Sequence, residues 1–486
     1  MPDRFKNYDP EVRRLVLQFE ASQKSGEKNF FDADQLEIII DFYLETLNST
    51  NQKISRTANQ QTQQVNTSIN QHPLTLLQSS IEYAESLFPH TPGIRLRRAH
   101  FLSIQGRYDL ALKILLQLEN EDPEDGDVQY ALGTIYSALD QSRRAIQYYL
   151  KASRDGYQLG TVYGNIADEY YRLGRLEESL RYYKKSVAHA PEDERSLLSL
   201  SSTFDELNQN AAAVAFFKQF VQKHPYNKTL WFCLGRSLMY YYDELGGREP
   251  DASLSDQQTN NTTPPQATQQ RSPHHLLLQA IDAFQFVLTI DDSHFDSYIL
   301  IAECYQMLNR SQDAVSTLRE SLNYASDPAN VLFSIASIYK DGGNYQTASI
   351  YLRQATDRDP YFSEAWLNLA ECYNAMGDTS NAEELYQRAL GMNDETDDFW
   401  LLYADFLIEQ HRFNDAILLL QKGIVNADFP HPFNIRLALC YFKTNRRNLL
   451  FSILIDCSQN NDNLHDLLHL CPEMLDDLEV MNIINA

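Results

Sequence analysis

Apolar positions along this chain recur three and four residues apart and are interrupted by short polar or glycine-containing turns, the pattern of amphipathic helices arranged in pairs. Between 363 and 396, Trp366, Leu369 and Tyr373 share one helix face, Ala370, Ala382 and Ala389 are small enough for two helices to approach closely, and Gly377 supplies a turn. The stretch predicts a helix, a tight turn and a second helix. Such a hairpin cannot bury its own apolar face and must stack on copies of itself. The copies are present: Tyr305, Tyr339 and Tyr373 lie 34 residues apart, and so do Ala314, Ala348, Ala382 and Ala416. Nearer the front, Leu102, Tyr136, Tyr170, Phe204 and Leu238 repeat the first-helix step, while Ala111, Ala145, Ser179 and Ala213 repeat the second. Pro191 and Pro225 close two of these units.

Trp366, Leu369, Ala370 and Tyr373, followed by Ala382 and Tyr386 at a period of 34, resemble the tetratricopeptide repeat. The resemblance covers nearly the whole chain. It implies an all-α fold, a right-handed superhelical α-solenoid of about eleven tetratricopeptide-like helical hairpins with N- and C-terminal capping helices. The entry segment Asn29-Phe30-Phe31-Asp32-Ala33-Asp34, leading into Tyr43-Leu44-Glu45, also resembles the start of uncharacterised cytosolic bacterial proteins of this type.

Taken in order, residues 1–32 predict an N-terminal capping helix, with Val12, Leu15, Val16 and Phe19 on one face after Pro10. Residues 33–91 read as a first repeat split by an Asn/Gln-rich insertion at 48–72. Its polar composition suits disorder, whereas Ile54, Ala58, Val65 and Ile69 suit an amphipathic extension of the flanking helices. Four regular repeats follow at 92–227. Residues 228–294 form a repeat split by an insertion at 244–274 that shows no helical stripe and is expected to be disordered. Four more regular repeats occupy 295–430, and 431–486 hold a degenerate repeat and a C-terminal cap. Both insertions fall between the two helices of a repeat, so they emerge on the same edge as tolerated expansions or as tethers.

Charge narrows the partners. A net charge of -25 disfavours general binding to phosphate backbones or anionic lipid, so a protein partner with a basic or apolar segment fits better than nucleic acid or membrane. No apolar stretch has the length of a signal-peptide core or a spanning helix, which predicts a cytoplasmic protein. The six cysteines include no pair of metal-ligand or redox spacing. Cys304, Cys372 and Cys440 recur at one first-helix place and are expected to be free packing thiols.

The resemblance further implies that first helices line a concave groove that holds an extended peptide or a partner helix. One groove place carries Asp168, Glu303, Glu371 and Asp405; another, near each helix start, carries Asp127, Asp296, Glu364 and Asp398. Between them stand Tyr130, Phe232, Phe333, Leu367 and Leu401, with Tyr171 and Asn374 one turn further on. An acidic, aromatic-lined groove suits a Lys- or Arg-containing segment that also buries side chains. Chaperone-binding members of the family grip an acidic C-terminus with a clamp of Lys, Asn and Arg. Here Arg195, Arg236 and Lys340 are scattered, so a co-chaperone role is disfavoured.

An enzyme is the competing class. His465-Asp466-Leu467-Leu468-His469 with Cys471 has the spacing of a zinc site, but Asp466 is too short for the general base, and Leu467 and Leu468 explain the stretch as a cap helix. No Gly-rich phosphate loop or nucleophile elbow is present, and no cofactor or metal is expected. Recognition of RNA by helical repeats would need basic groove places, and these are mostly acidic. The expectation is therefore a non-enzymatic adaptor. A structural scaffold that self-associates through its caps, its edge or its Asn/Gln-rich insertions is the alternative.

Overall fold

The computed structural model describes residues 5, 8–25, 29–56, 63–154, 156–246, 273–392, 396–425, 427, 429–459 and 465–484. All regular structure among them is helical, and the chain forms two compact units, Met1–Glu244 and Leu245–Ala486.

In the first unit a lone helix, α1 (Pro10–Ser25), precedes five hairpins: α2 (Ala33–Arg56) with α3 (Gln63–Leu87), α4 (Pro92–Ile104) with α5 (Tyr108–Glu121), α6 (Gly126–Ala138) with α7 (Ser142–Arg154), α8 (Leu159–Arg172) with α9 (Leu176–His189), and α10 (Glu194–Glu206) with α11 (Asn210–Lys223). A last helix, α12 (Lys228–Glu244), packs on α10 and α11. The helix expected as an entry cap, α1, buries Leu15, Val16 and Phe19 in one cluster with Ile39, Ile40 and Tyr43. At its edge the Tyr43 hydroxyl donates to Glu20 at 3.0 Å.

The second unit opens with α13 (His274–Ile290) and again holds five hairpins: α14 (Phe295–Met307) with α15 (Ser311–Ser321), α16 (Pro328–Asp341) with α17 (Tyr345–Arg358), α18 (Ser363–Ala375) with α19 (Thr379–Met392), α20 (Asp397–Glu409) with α21 (Phe413–Gly423), and α22 (Pro430–Lys443) with α23 (Arg447–Gln459). The C-terminal cap is three short pieces, α24 (His465–Leu470), a 3₁₀ turn (Pro472–Asp476) and α25 (Leu478–Ile484), resting on α22 and α23.

In the first insertion the backbone takes the helical course: α2 continues to Arg56 and α3 begins at Gln63, with Pro73 inside it. Residues 57–62, and most of the second insertion at 247–272, lie outside the described residues.

Each regular hairpin turns on one residue with left-handed backbone. At Gly377 (φ 83°) its amide donates to Asn374 O and the Asp378 amide reaches back to Tyr373 O, both at 2.9 Å, which closes the helix C-terminus as a Schellman turn. The same bond pair recurs one period on at His411 (φ 57°), where no glycine relieves the side chain. Asp140, Asn208, Asn309 and Asn445 occupy this place elsewhere, also at positive φ. Close helix approach depends on the small residues. Ala382 and Ala389 are fully buried, and a Cβ at Gly133 would stand 2.6 Å from the Tyr149 ring. Tyr386, Phe399, Phe406 and Phe433 fill one continuous core between hairpins, each contributing about 1.5–3 kcal/mol by its burial.

Candidate interaction face

The face made by successive first helices carries a cleft in each unit. In the first, Asp168 on α8 receives the hydroxyl of Tyr183 on α9 and the guanidinium of Arg195 on α10. Arg195 also donates to Asn165 Oδ1 at 3.0 Å, and Asn165 Nδ2 donates to the Tyr130 hydroxyl at 3.1 Å. Polar side chains thus connect α6, α8, α9 and α10 across two repeat boundaries. Tyr171 donates to Glu206. Asp168, Tyr171, Arg172, Tyr183, Leu198 and two serines line a cleft of ≈ 460 Å³. Burial first, and then the Asp168 carboxylate, hold the Tyr183 phenol far above its ordinary ionisation range.

In the second unit three first helices, α16, α18 and α20, share a cleft of ≈ 710 Å³. Lys340 Nζ donates to Glu371 Oε2 at 2.7 Å and to Asn368 Oδ1 at 2.5 Å. Arg436 holds both Asp405 oxygens, at 2.6 and 2.7 Å, a bidentate pair from the following repeat. Asn374 Nδ2 donates to Glu409 at 2.9 Å. Tyr386 forms part of the wall; burial, then Glu371, Glu409 and Asp405, suppress its ionisation strongly. Three carboxylates therefore converge on one phenol.

The fifteen expected groove residues separate accordingly. Glu371, Asn374 and Asp405 meet in the second cleft, and Asp168 and Tyr171 in the first. The acidic ladder is not a row of free charges, because Asp168, Glu371 and Asp405 are each paired by a cation from a neighbouring repeat. Arg195 and Lys340 look scattered along the chain, and Arg436 escaped notice, yet each lies 27 or 31 residues from its acid. In an array of period 34 that separation places two first-helix residues side by side, and this was the available signal. Glu303 alone of that ladder has no cation bonded to it among the described residues, and loss of water pushes its carboxyl up.

The helix-start ladder has a local cause. Asp127, Asp296, Glu364 and Asp398 are exposed in the first turns of α6, α14, α18 and α20, where an anion complements the helix dipole. Of the apolar rungs, Leu367 and Leu401 are 5% and 8% exposed and belong to the core cluster between hairpins, so they brace the face and do not present it. Phe333 is half-buried against Phe362, ring centroids 5.0 Å apart, and Phe232 is half-buried. Tyr130 lies between Tyr149 and Tyr157, at 5.7 and 5.4 Å.

At the C-terminal end His469 is exposed, Cys471 is buried with its thiol pushed up, and the His465 side chain lies outside the described residues. Among the described residues no group of three His, Cys, Asp or Glu could hold a metal ion, and no helix is long and apolar enough to cross a membrane. All six cysteines are buried. Burial pushes the Cys372 thiol up to about 11 and those of Cys233 and Cys440 up to about 12.

Family models described as tetratricopeptide repeat match residues 126–154, 165–228, 341–390 and 374–431. The TPR repeat-containing protein YpiA of Bacillus subtilis is 20% identical over 341 residues, covering 69% of this chain and 71% of that protein. Human protein O-mannosyl-transferase TMTC3 is 21% identical over 328 residues, 64% of this chain but only 33% of that protein. Among solved structures, a thermophilic TPR protein of Thermus thermophilus aligns at 15% identity and TM-score 0.30 over 44% of this chain and 99% of its own. The APC/C hetero-tetramer Cut9-Hcn1 aligns at 12% identity and TM-score 0.34 over 98% and 93%.

Proposed function

We propose that this chain, a tetratricopeptide-repeat protein, is a non-enzymatic adaptor that holds a segment of a partner protein against its first-helix face. The observation that carries this reading is the ≈ 710 Å³ cleft in which Glu371, Asn374 and Asp405 converge with Glu409 across three first helices. A cleft that crosses several helices suits an extended segment or a helix rather than a compact small molecule. Its lining acids, Asp341, Glu371, Asp405 and Glu409, outnumber Lys340, so the segment carries Lys or Arg, with apolar side chains for Leu402 and Tyr345. An incoming cation meets Asp341 and Glu409 first and then competes with Lys340 for Glu371. The transferase in the human relative's name is not carried over, since the match spans a third of that protein.

Affinity capture from the native extract, intact chain against Asp341→Lys with Glu409→Lys, tests the reading. Neither acid is in an ion pair among the described residues, so the fold should be unaffected. The expected result is loss of one partner whose capture by the intact chain weakens with salt. An identical, salt-insensitive partner set would sink it.

A self-associating scaffold is the second reading. It is favoured by Leu470, Leu475 and Leu478, which are 50%, 54% and 79% exposed in the C-terminal cap, where a polar end is ordinary. Sedimentation decides it: a concentration-dependent oligomer that survives high salt and is lost on replacing the three leucines by serine would favour the scaffold.

A further inference from the structure

The linker between α7 and α8 departs from the other inter-repeat linkers of the first unit. Six residues before the Trp place of a repeat, Pro89, Pro123, Pro191, Pro225 and Pro360 close five other linkers, and here the position holds Tyr157. The backbone around it is left-handed twice, at Gly156 (φ 77°) and at Gln158 (φ 31°), and the second has no glycine to ease it. This turn lays the phenol ring on Tyr130, centroids 5.4 Å apart at 47°. Its hydroxyl comes beside the Asp127 carboxylate, and burial followed by Asp127 pushes its ionisation up. Pro123, Pro225 and Pro360, at the same place, are exposed. One rung of the first-helix face, Tyr130, is thus partly covered by a residue of the chain itself, with the exposed Asp127 beside it.

We propose that Tyr157 is a built-in competitor: it occupies the seat of a partner's tyrosine, and a partner segment that reaches α6 places its own phenol on Tyr130 and Asp127 after displacing Tyr157. The inference rests on the reading of the first-helix face as the binding surface. The seat offers a ring face and an acceptor side by side, the two features a tyrosine uses at once. Tyr157 is half-buried at the margin of the core around Leu132 and Tyr149 and sits on a strained turn, and an incoming phenol would make the same two contacts in its place. The remainder of the face, from Asn165 and Asp168 onward, stays open in either state.

The test uses the full chain, its Tyr157→Gly variant and a Tyr157→Pro variant carrying the residue found at the other inter-repeat linkers of the first unit. In the first arm p-cresol, the tyrosine side chain alone, is titrated by saturation-transfer NMR with toluene as comparison. Both variants should take p-cresol about fivefold more tightly than the intact chain, prefer it to toluene, and lose that preference with Asp127→Asn. Equal binding to intact chain and folded variants overturns the proposal. In the second arm, two ten-residue Lys/Ser peptides differing by one central Tyr or Ala are compared by fluorescence anisotropy. A gain confined to the Tyr peptide supports the proposal, and an equal gain for both overturns it. If neither peptide binds any form, the basic-partner reading of the face fails while the p-cresol arm still judges the seat.

Discussion

One register place behaves in two ways in the two units. Tyr183 and Tyr386 both stand twenty residues after the Trp place of their repeat, on a second helix, facing the groove acid of the same hairpin. Tyr183 donates to Asp168, which Arg195 also holds, and the group is satisfied. Tyr386 meets Glu371, Asp405 and Glu409 but makes no hydrogen bond among the described residues, because Lys340 and Arg436 engage two of those acids. The repeat determines where a side chain points. Residues one period away determine what it finds there.

The largest way to separate the units is alkali. A thiol whose folded pKa lies above its ordinary 9.0 stabilises the fold fully below that value, and the contribution is lost as pH rises toward the folded pKa, because the unfolded chain releases its proton first. The second unit holds Cys372, at about 11, Cys440, at about 12, and a raised Cys471; the first holds Cys233, at about 12. At about 1.4 kcal/mol per pK unit, about 1 kcal/mol per thiol should be lost between pH 9 and 10, more from the three thiols of the second unit than from the one of the first; above pH 10 the raised phenols of Tyr148, Tyr149 and Tyr183 add their own loss to the first unit. Tryptophan fluorescence can read each unit alone: Trp231→Phe leaves Trp366 and Trp400, and their double replacement leaves Trp231. Coincident alkaline midpoints would remove the difference.

A smaller effect is expected at a core place. Where the second unit has Cys304, Ile338, Cys372, Phe406 and Cys440, the first has Phe101, Ile135, Thr203 and Ser237 and, at one repeat, the charged Glu169, 2% exposed. One of its oxygens accepts from Ser137 at 2.6 Å and pairs with Arg172 at 3.1 Å; the other has no hydrogen-bond partner among the described residues. Arg172 is 51% exposed and would rehydrate if released. Glu169→Met should therefore stabilise the first unit by about 1 kcal/mol, read as a higher urea midpoint. Destabilisation would mean that the pair outweighs the desolvation of the carboxylate.

The tyrosine pair itself should differ by a similar amount. Tyr183→Phe removes a bond to a carboxylate and should cost about 1–1.5 kcal/mol, whereas Tyr386→Phe should change stability by less than about 0.5 kcal/mol. Equal costs in urea unfolding would mean that Tyr386 is held by something other than its burial.

The periodic ladders made the hairpins readable, since Tyr305, Tyr339 and Tyr373 recur only if each unit repeats one packing. The site was half readable. The places of Asp168, Glu371 and Asp405 follow from register, but their pairing with Arg195, Lys340 and Arg436 depends on contacts between repeats, which a search within each repeat does not reach. Leu367 and Leu401 were misplaced because a groove-facing direction says nothing of how closely the next helix covers it. Tyr157 went unnoticed because a missing proline resembles ordinary drift in the repeat.

The turns show the same limit and yield the smallest effect. Gly377 marks its turn in the sequence, while His411 holds the same left-handed conformation one period later without a glycine to announce it. A Cβ at Gly377 would meet nothing within 4 Å, so Gly377→Ala isolates the conformational term and should cost about 1 kcal/mol. His411→Gly removes that strain but frees the unfolded chain, so its gain should be smaller, about 0.5 kcal/mol. The two signs are the check, read as opposite shifts in urea midpoint at unchanged slope. If His411→Gly destabilises, the ring contact with Phe413, at 5.9 Å, outweighs the backbone.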